Sequence, residues 1–372
     1  MSKTKDQKIR EFAETLVDHS IEVKEGENIY LKAESIDVKP LFDEVRKLII
    51  ERGAYPHEHF IYDSQIGRSG LDYDWIKHGS KKQMKNISEA KRKELEEMDA
   101  FIMISGRDNE RELNGLNPEK ITLRKKETKE LSDIIHRGRW VLTRFPTDAS
   151  AQNAGLPTQE YEEFLLDAVT EVDWNEMAER NQKIKACFDK ADKVRIVSEG
   201  TDLEFSLENR DGISSTGKHN IPDGEVFYAP VKNSVEGKVS FTYPGVKSGN
   251  QVEDVVLKFE SGKVVEYSAS KNEDYLKAQL NTDDGARYLG EFGIGTNMQI
   301  DRFMNDLGLD EKIGGTIHLA LGNAYEESVP DNEEKNNSAI HWDIVKDLRK
   351  EEDGGKIFCD GEKVFEDGEW LI

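Results

Sequence analysis

Two short apolar stretches in the last third of the chain carry residues that could bind a metal ion. His318 lies within residues 316–321 (TIHLAL), and His341 and Asp343 lie within residues 340–345 (IHWDIV). Read with the two-residue period of a strand, each stretch places its apolar residues on one face and its His or Asp on the other. Strands of this kind can deliver ligands to a common site.

Two acidic residues extend the set to five candidate ligands. Glu225 lies within residues 222–227 (PDGEVF), and Glu291 lies within residues 289–293 (LGEFG). A set of His and carboxylate ligands without Cys suits zinc, cobalt or manganese rather than copper or an iron-sulfur cluster. Five ligands suit two ions better than one, and paired ions activate water for hydrolysis. The residues therefore predict a two-metal hydrolytic site.

The first half of the chain alternates helical and strand signals. An amphipathic stripe near the N-terminus predicts a helix, and strands are expected at residues 28–33, 57–62, 100–104 and 140–145. Strands separated by helices are typical of a mostly parallel sheet in a layered α/β domain. We expect this domain to occupy residues 1–190.

From Val194 onward the pattern changes to short strands separated by Gly, Asp or Asn. These strands are expected at residues 194–197, 203–207, 226–229, 238–242, 255–259 and 264–267, with hairpin turns at 261–263 and 360–362. The pattern predicts a strand-rich α+β catalytic domain over residues 191–372. A chain of 372 residues also exceeds what one hydrophobic core usually organises.

Composition excludes several classes of protein. The net charge of −23 argues against a nucleic-acid partner, because phosphate binding needs clustered Lys and Arg. We expect a cytoplasmic protein that does not bind membranes, since neither a signal-peptide core nor a long apolar run is present. Cys187 and Cys359 fall in different candidate domains, which argues against a disulfide framework and a thiolate zinc site.

Other histidines give weaker signals. His57 and His59 alternate with Glu58 and lack the helical spacing of a zinc protease, so we interpret them as surface or interdomain polar residues. His219 precedes Glu225 by six positions, but we do not predict it to be a ligand.

Four ordered segments resemble the motifs of a known family. They are residues 221–230 (IPDGEVFYAP), the pair Gly290-Glu291, residues 316–322 (TIHLALG) followed by Tyr325, and residues 338–343 (SAIHWD). Together they are similar to the thermophilic-type metalloaminopeptidases, the aminopeptidase T or M29 family. Residues 145–155 (FPTDASAQNAG) resemble a further segment of this family.

The resemblance implies an enzyme that removes the N-terminal residue from peptides with a free N-terminus. It implies a homodimer in which two divalent ions (zinc, cobalt or manganese) activate a bridging water. The implied metal ligands are Glu225, Glu291, His318, His341 and Asp343. Glu291 is then a candidate for ligand and general base together, and Tyr325 a candidate donor to the oxyanion of the tetrahedral intermediate.

Two alternatives stay open at this point. Some relatives resemble ring-cleaving dioxygenases that hold a single iron with two His and one Asp. The presence of Glu225 and Glu291 argues for two metals and hydrolysis instead. The other alternative is a non-catalytic binding protein on an inherited fold.

Overall fold

The structure is a computed structural model that describes residues 3–60, 73–109, 111–113, 115–247, 249–350 and 352–372. The chain divides into two compact units. Unit 1 comprises Met1–Val172 and Gly217–Pro222, and unit 2 comprises Asp173–Thr216 and Asp223–Ile372. The chain thus first enters unit 2 after Val172, ahead of the boundary expected at residue 190.

The elements alternate in the first half and become strand-rich in the second. The helices are α1 Lys5–Glu14, α2 Lys39–Glu51, α3 Tyr73–His78, α4 Lys81–Lys85, α5 Glu89–Glu96, α6 Pro118–Arg137, α7 Asp148–Ala154, α8 Thr158–Thr170, α9 Trp174–Phe188, α10 Glu273–Leu280 and α11 Leu307–Asp310. The first strands are β1 Asn28–Ala33, β2 Tyr55–Phe60, β3 Ala100–Ser105, β4 Arg139–Arg144, β5 Lys193–Ser198, β6 Thr201–Ser206, β7 Ile213–Ser215, β8 Asn220–Ile221, β9 Glu225–Tyr228 and β10 Glu236–Ser240. The later strands are β11 Gly245–Lys247, β12 Asn250–Val252, β13 Val256–Glu260, β14 Lys263–Ser268, β15 Leu289–Gly295, β16 Thr316–Gly322, β17 His341–Asp347, β18 Gly355–Cys359, β19 Glu362–Glu366 and β20 Glu369–Trp370. The remaining helical segments are a π-helix at Thr15–Ser20 and 3₁₀ turns at Ile36–Val38 and Glu326–Ser328.

Unit 1 contains the predicted parallel sheet, which we call sheet A. Over the described residues its strand order is β2-β1-β3-β4-β8, with every neighbouring pair parallel. Helices α2 and α6 form crossovers between successive parallel strands, as such sheets require. The layered α/β prediction is confirmed. Of the strand expected at residues 57–62, residues 61 and 62 lie outside the described residues.

A short return of the chain completes this sheet. Strand β8 pairs with β4 through Leu142 and Thr143, and the Thr143 hydroxyl donates to the carbonyl oxygen of Ile221 at 2.9 Å. Only two residues long, β8 is too short to produce a periodic signal in the sequence.

Unit 2 contains two antiparallel sheets and a separate hairpin, β11–β12. Among the described residues, sheet B has the order β14-β13-β10-β6-β5-β18-β19-β20, and sheet C has the order β17-β16-β15-β9-β7. Apolar side chains of both sheets join one core, in which the rings of Phe205 and Phe292 lie 5.0 Å apart. The strand-rich prediction is confirmed.

Helix α9 belongs to this core rather than to unit 1. The Asp173 carboxylate caps the helix by accepting from the backbone N–H groups of Asn175 and Glu176. Phe188, at the other end, is fully buried 5.7 Å from the ring of Phe292. Burial of its apolar face on unit 2 explains why the unit boundary precedes the helix.

The two cysteines both lie in unit 2, not in separate units. Cys187 is on α9 and Cys359 on β18, and both are free thiols. The difference follows from the position of α9.

The two predicted hairpin turns are present. Ser261 and Gly262 have φ of 50° and 81°, and Asp360 and Gly361 have φ of 49° and 86°. Two consecutive left-handed residues make the tight turn that joins antiparallel strands, here β13 to β14 and β18 to β19.

None of the helices in the described part of the chain is long and apolar enough to cross a membrane.

Candidate metal centre

Sheet C brings the five predicted ligands together on neighbouring strands. Glu225 opens β9, Glu291 lies on β15, His318 lies on β16, and His341 and Asp343 lie on β17. The registers that align them pair Glu225 with Gly295, Glu291 with Ala320, His318 with Gly293, Asp343 with Ala320, and His341 with Gly322. Residues more than 100 positions apart in the sequence thus meet on one face of the sheet.

The two-residue alternation decides which side chains face this site. The core of unit 2 takes the apolar residues of β16 and β17, namely Ile317, Leu319, Leu321, Trp342 and Ile344. Their sequence neighbours His318 and Asp343 lie on the opposite face. The predicted separation of apolar and polar faces is confirmed for these residues, whereas the buried Val345 pairs with His318 on the polar face.

Two glycines of β15 make room for the cluster. Gly293 lies opposite His318, and a Cβ added at Gly293 would stand 1.9 Å from the His318 Nε2 atom. A Cβ at Gly290 would stand 2.3 Å from the carbonyl oxygen of Asn323. These glycines flank Glu291 because their neighbours leave no space for a side chain.

The ligand atoms form two groups that share Glu291. The His318 Nε2 atom lies 2.9 Å from Glu291 Oε1 and 3.5 Å from Glu225 Oε2. On the other side, the His341 Nε2 atom lies 3.6 Å from Glu291 Oε2 and 3.4 Å from Asp343 Oδ1. Within each group, one ligand atom from each residue lies within 4.8 Å of the others.

The donor set fits a divalent metal ion. Carboxylate oxygens and imidazole nitrogens are the ligands that zinc, cobalt and manganese accept. The buried oxygens Glu225 Oε2, Glu291 Oε2 and Asp343 Oδ1 find no hydrogen-bond donor among the described residues. A buried acceptor without a donor is costly, and a bound cation would remove that cost.

The orientation of His341 also fits a metal ligand. Its Nδ1 atom donates to the carbonyl oxygen of Asn323 at 2.7 Å. The other ring nitrogen, Nε2, is then the one that faces Glu291 and Asp343. The hydrogen bond from Nδ1 fixes the tautomer of His341. Metal-bound histidines in other proteins are commonly oriented in this way by a hydrogen bond from the ring nitrogen that does not bind the metal.

Three charged residues at the site were missed by sequence reasoning. Lys312, with a side chain only 3% exposed, donates to Glu225 and lies 3.0 Å from Glu311 and 3.8 Å from Asp223. Glu311 also forms a third group of possible ligands with His318 and Asp343. The signal of Glu311 and Lys312 in the sequence is the charged run at residues 310–312 (DEK), which begins at the last residue of the four-residue helix α11. Asp223 precedes Glu225 by two positions.

The carboxylates and histidines shift one another's protonation. Burial, partly offset by Lys312, raises the pKa of Glu225 to about 8. Burial opposes charge on His318 and His341, but the adjoining carboxylates outweigh it and raise their pKa values to about 9 and about 10. Without metal, both imidazoles therefore carry protons at neutral pH.

Metal-free protein should lose stability as the pH rises. The folded-state pKa values of His318 and His341 exceed the ordinary histidine value of about 6.5. The two residues therefore make their full contribution to the free energy of unfolding below about pH 6.5. It is lost as the pH passes about 9 and about 10. We expect the thermal midpoint in chelator to fall between pH 7 and 10, and added zinc to suppress the fall. Parallel curves with and without zinc would contradict this prediction.

Tyr325 lies just beyond the end of β16, at the rim of the cluster. Its ring is 4.8 Å from the ring of His341 and 5.7 Å from that of Phe227, and the residue is 45% exposed. Partial burial and the carboxylates of Glu291 and Asp343 raise its pKa. The side chain is therefore a neutral phenol that can donate a hydrogen bond.

The other histidines singled out in the sequence have structural partners in unit 1. His57 contacts the Asn28 side chain at 3.0 Å, and His59 pairs with Glu94 at 2.7 Å. His219 stacks on Trp140 with ring centroids 4.7 Å apart.

Comparison with known proteins defines the class of this fold and cluster. The family model described as thermophilic metalloprotease (M29) matches residues 5–370. The chain is therefore a metal-dependent hydrolase. It belongs to the M29 family, and the predicted family and class are confirmed.

Curated relatives agree with this assignment. The chain is 27% identical to Aminopeptidase 2 of Geobacillus stearothermophilus, over 99% of this chain and 98% of that protein. It is 31% identical to Aminopeptidase T of Thermus aquaticus, over 77% of this chain and 80% of that protein.

Solved structures share the fold. Wild-type AmpT from Thermus thermophilus matches with a TM-score of 0.82 at 23% identity, covering 99% of this chain and 100% of that one. A 2,5-dihydroxypyridine dioxygenase from Pseudomonas putida KT2440 matches with a TM-score of 0.63 at 14% identity, covering 100% and 98%. A protein named as a dioxygenase thus shares this fold, so the fold alone does not specify the reaction and the site residues must do so.

Proposed function

We propose that this M29 member is an aminopeptidase that removes the N-terminal residue from peptides with a free N-terminus, using two divalent metal ions. The names of its curated relatives support the substrate class. The observation that carries the proposal is the pair of ligand groups joined by Glu291. A carboxylate shared in this way suits two adjacent ions of zinc, cobalt or manganese.

In this proposal each ion has its own ligands. Glu225 and His318 would hold one ion, His341 and Asp343 would hold the other, and Glu291 would contribute to both. When bound, paired ions would polarise the peptide carbonyl and lower the pKa of the attacking water.

The charges around the site favour two ions over one. Within the described part of the chain, the carboxylates that surround the site are those of Asp223, Glu225, Glu291, Glu311 and Asp343. Lys312 offsets one of these five charges, and with neutral histidines the remaining four match two divalent cations. A single iron, as in the dioxygenase alternative, would leave two buried negative charges uncompensated, which is costly.

Two carboxylates can serve as the general base. Glu291 remains the candidate from the sequence, although its two oxygens face His318 and His341. Glu311 is the competing candidate, because its carboxylate reaches the same site and is 20% exposed. A base needs hydrogen-bond reach to the water and a route for passing the proton to the leaving amine.

Tyr325 is proposed to donate its phenolic proton in a hydrogen bond to the oxyanion formed during hydrolysis. Tyr325→Phe should lower kcat by about 10²- to 10³-fold, the usual loss for one oxyanion donor. Metal content should stay at the wild-type value, as measured by elemental analysis. Loss of metal in this variant would contradict the assignment.

The function is tested by assaying metal-reconstituted protein on a panel of aminoacyl amides. The control substrates are the same amides with acetylated N-termini. The proposal expects release of free amino acid from the unblocked substrates alone, with loss of activity in chelator and in His341→Ala. About two zinc, cobalt or manganese ions per chain would support it. A single iron with oxygen consumption would favour the dioxygenase, and metal-loaded protein without turnover would favour a binding protein.

We also propose a cytoplasmic homodimer, as the family resemblance implies. Sedimentation velocity of the purified chain should give twice the mass of 42.4 kDa, and a monomer would contradict the dimer.

A further inference from the structure

A single buried lysine links three carboxylates beside the proposed metal centre. The Nζ atom of Lys312 donates to Glu225 on β9, lies 3.0 Å from Glu311 at the end of α11, and lies 3.8 Å from Asp223 before β9. A lysine ammonium group has three N–H donors. Lys312 can therefore hold Asp223 and Glu225, from the segment that begins β9, together with its own sequence neighbour Glu311.

The two carboxylate oxygens of Glu225 have different hydrogen-bond partners. Oε1 accepts from Lys312, whereas Oε2 has no donor among the described residues and lies 3.5 Å from His318 Nε2. Lys312 thus occupies Oε1 and leaves available Oε2, the oxygen that faces His318.

We infer that Lys312 is a positioning residue, which fixes Glu225 so that it offers only Oε2 to a metal ion and holds Glu311 against the same site. The inference rests on the proposed two-metal function. At other metal sites, residues that do not bind the metal orient the ligating carboxylates through hydrogen bonds, and we assign this role to Lys312.

Loss of the ammonium group has a definite expected cost. Without it, the Glu225 side chain can rotate, and three acidic groups lose their common cation. Removal of such outer-shell partners usually lowers metal affinity or activity by about 10- to 100-fold.

The chain offers a matched control in Lys346. This lysine is also fully buried, and its Nζ atom pairs with Asp353 at 2.7 Å. Its side chain lies on β17 at a position whose alternation places it on the face opposite Asp343. Lys346→Met therefore removes a buried charge from the same sheet without touching the cluster.

The test compares the zinc affinities of Lys312→Met and Lys346→Met by competition with a chelating dye, starting from metal-free protein. Thermal unfolding of the metal-free variants shows whether each is folded. We expect Lys312→Met to bind at least one ion about 10- to 100-fold more weakly, and Lys346→Met to bind both as wild type does. A folded Lys312→Met with wild-type affinity for both ions would overturn the inference.

A second variant covers the case in which Lys312→Met does not fold. Lys312→Ala leaves space that ethylammonium can enter, and this ion keeps the N–H donors that tetramethylammonium lacks. We expect ethylammonium alone to restore zinc affinity at matched ionic strength, and an equal response to both ions would overturn the inference. Because affinity is read without turnover, wild-type protein that binds two ions but cleaves no peptide would contradict only the proposed function.

Discussion

Glu291→Gln is expected to remove both metal ions and to lower kcat/KM by about 10⁴-fold or more, because a metal centre supplies several kcal/mol of transition-state stabilisation. Glu291 is the one residue common to the two ligand groups, with Oε1 near His318 and Oε2 near His341. Gln has nearly the same size but no charge, so the fold should persist while the attraction for both ions weakens. Elemental analysis and initial rates measure the two effects.

Glu311→Gln is the informative companion to this variant. If Glu311 is the general base, its loss should lower turnover while both ions stay bound, since Glu311 is not among the five proposed ligands. Wild-type turnover in Glu311→Gln would leave Glu291 as the base. Glu291→Gln protein that keeps two ions and full activity would contradict the shared-ligand proposal itself.

Gly293→Ala is expected to disable the centre without changing any charged group. The new Cβ would stand 1.9 Å from the His318 Nε2 atom, a distance that real side chains do not tolerate, so the imidazole must move. Overpacking of this kind costs about 1–3 kcal/mol of stability. Displacement of a ligand by about 1 Å can cost about 10²-fold in activity.

Gly138→Ala is the control for this substitution. Gly138 has an extended backbone with φ of −91°, and the atom nearest its added Cβ is a ring carbon of Phe101 at 3.2 Å. It lies in unit 1. The free energy of unfolding, the metal content and kcat should therefore change far less than in Gly293→Ala. Equal losses in the two variants would show that general strain, not displacement of His318, causes the effect.

Periodicity predicted the parts of the site that depend on strand geometry. Apolar residues alternate with His318 on β16 and with Asp343 on β17, and the structure places each set on the predicted face. The parallel sheet of unit 1 was predictable for the same reason, because its strands are separated by amphipathic helices. Glu225 and Glu291 were candidates by residue type alone, and the family resemblance was needed to imply their role as ligands, since an acid beside a glycine has no distinctive period.

The rest of the site depends on contacts that periodicity does not encode. Lys312 and Glu311 follow a four-residue helix, and their importance lies in the charges they meet from other segments. The division of the later strands into two sheets was equally hidden, because strand patterns do not specify partners. The two-residue strand β8 and the position of α9 in unit 2 also arise from long-range packing.

The positions of the sheet C strands along the sequence also set the time at which the centre can form during protein synthesis. Its proposed ligands come from β9, β15, β16 and β17, and β17 is the last of these to leave the ribosome. Domains fold as the chain emerges, from the N-terminal side onward. A nascent chain that ends before His341 has three of the five proposed ligands, so it cannot complete the second ligand group around Glu291. The order of strands along the chain thus delays completion of the proposed centre until β17 has been made.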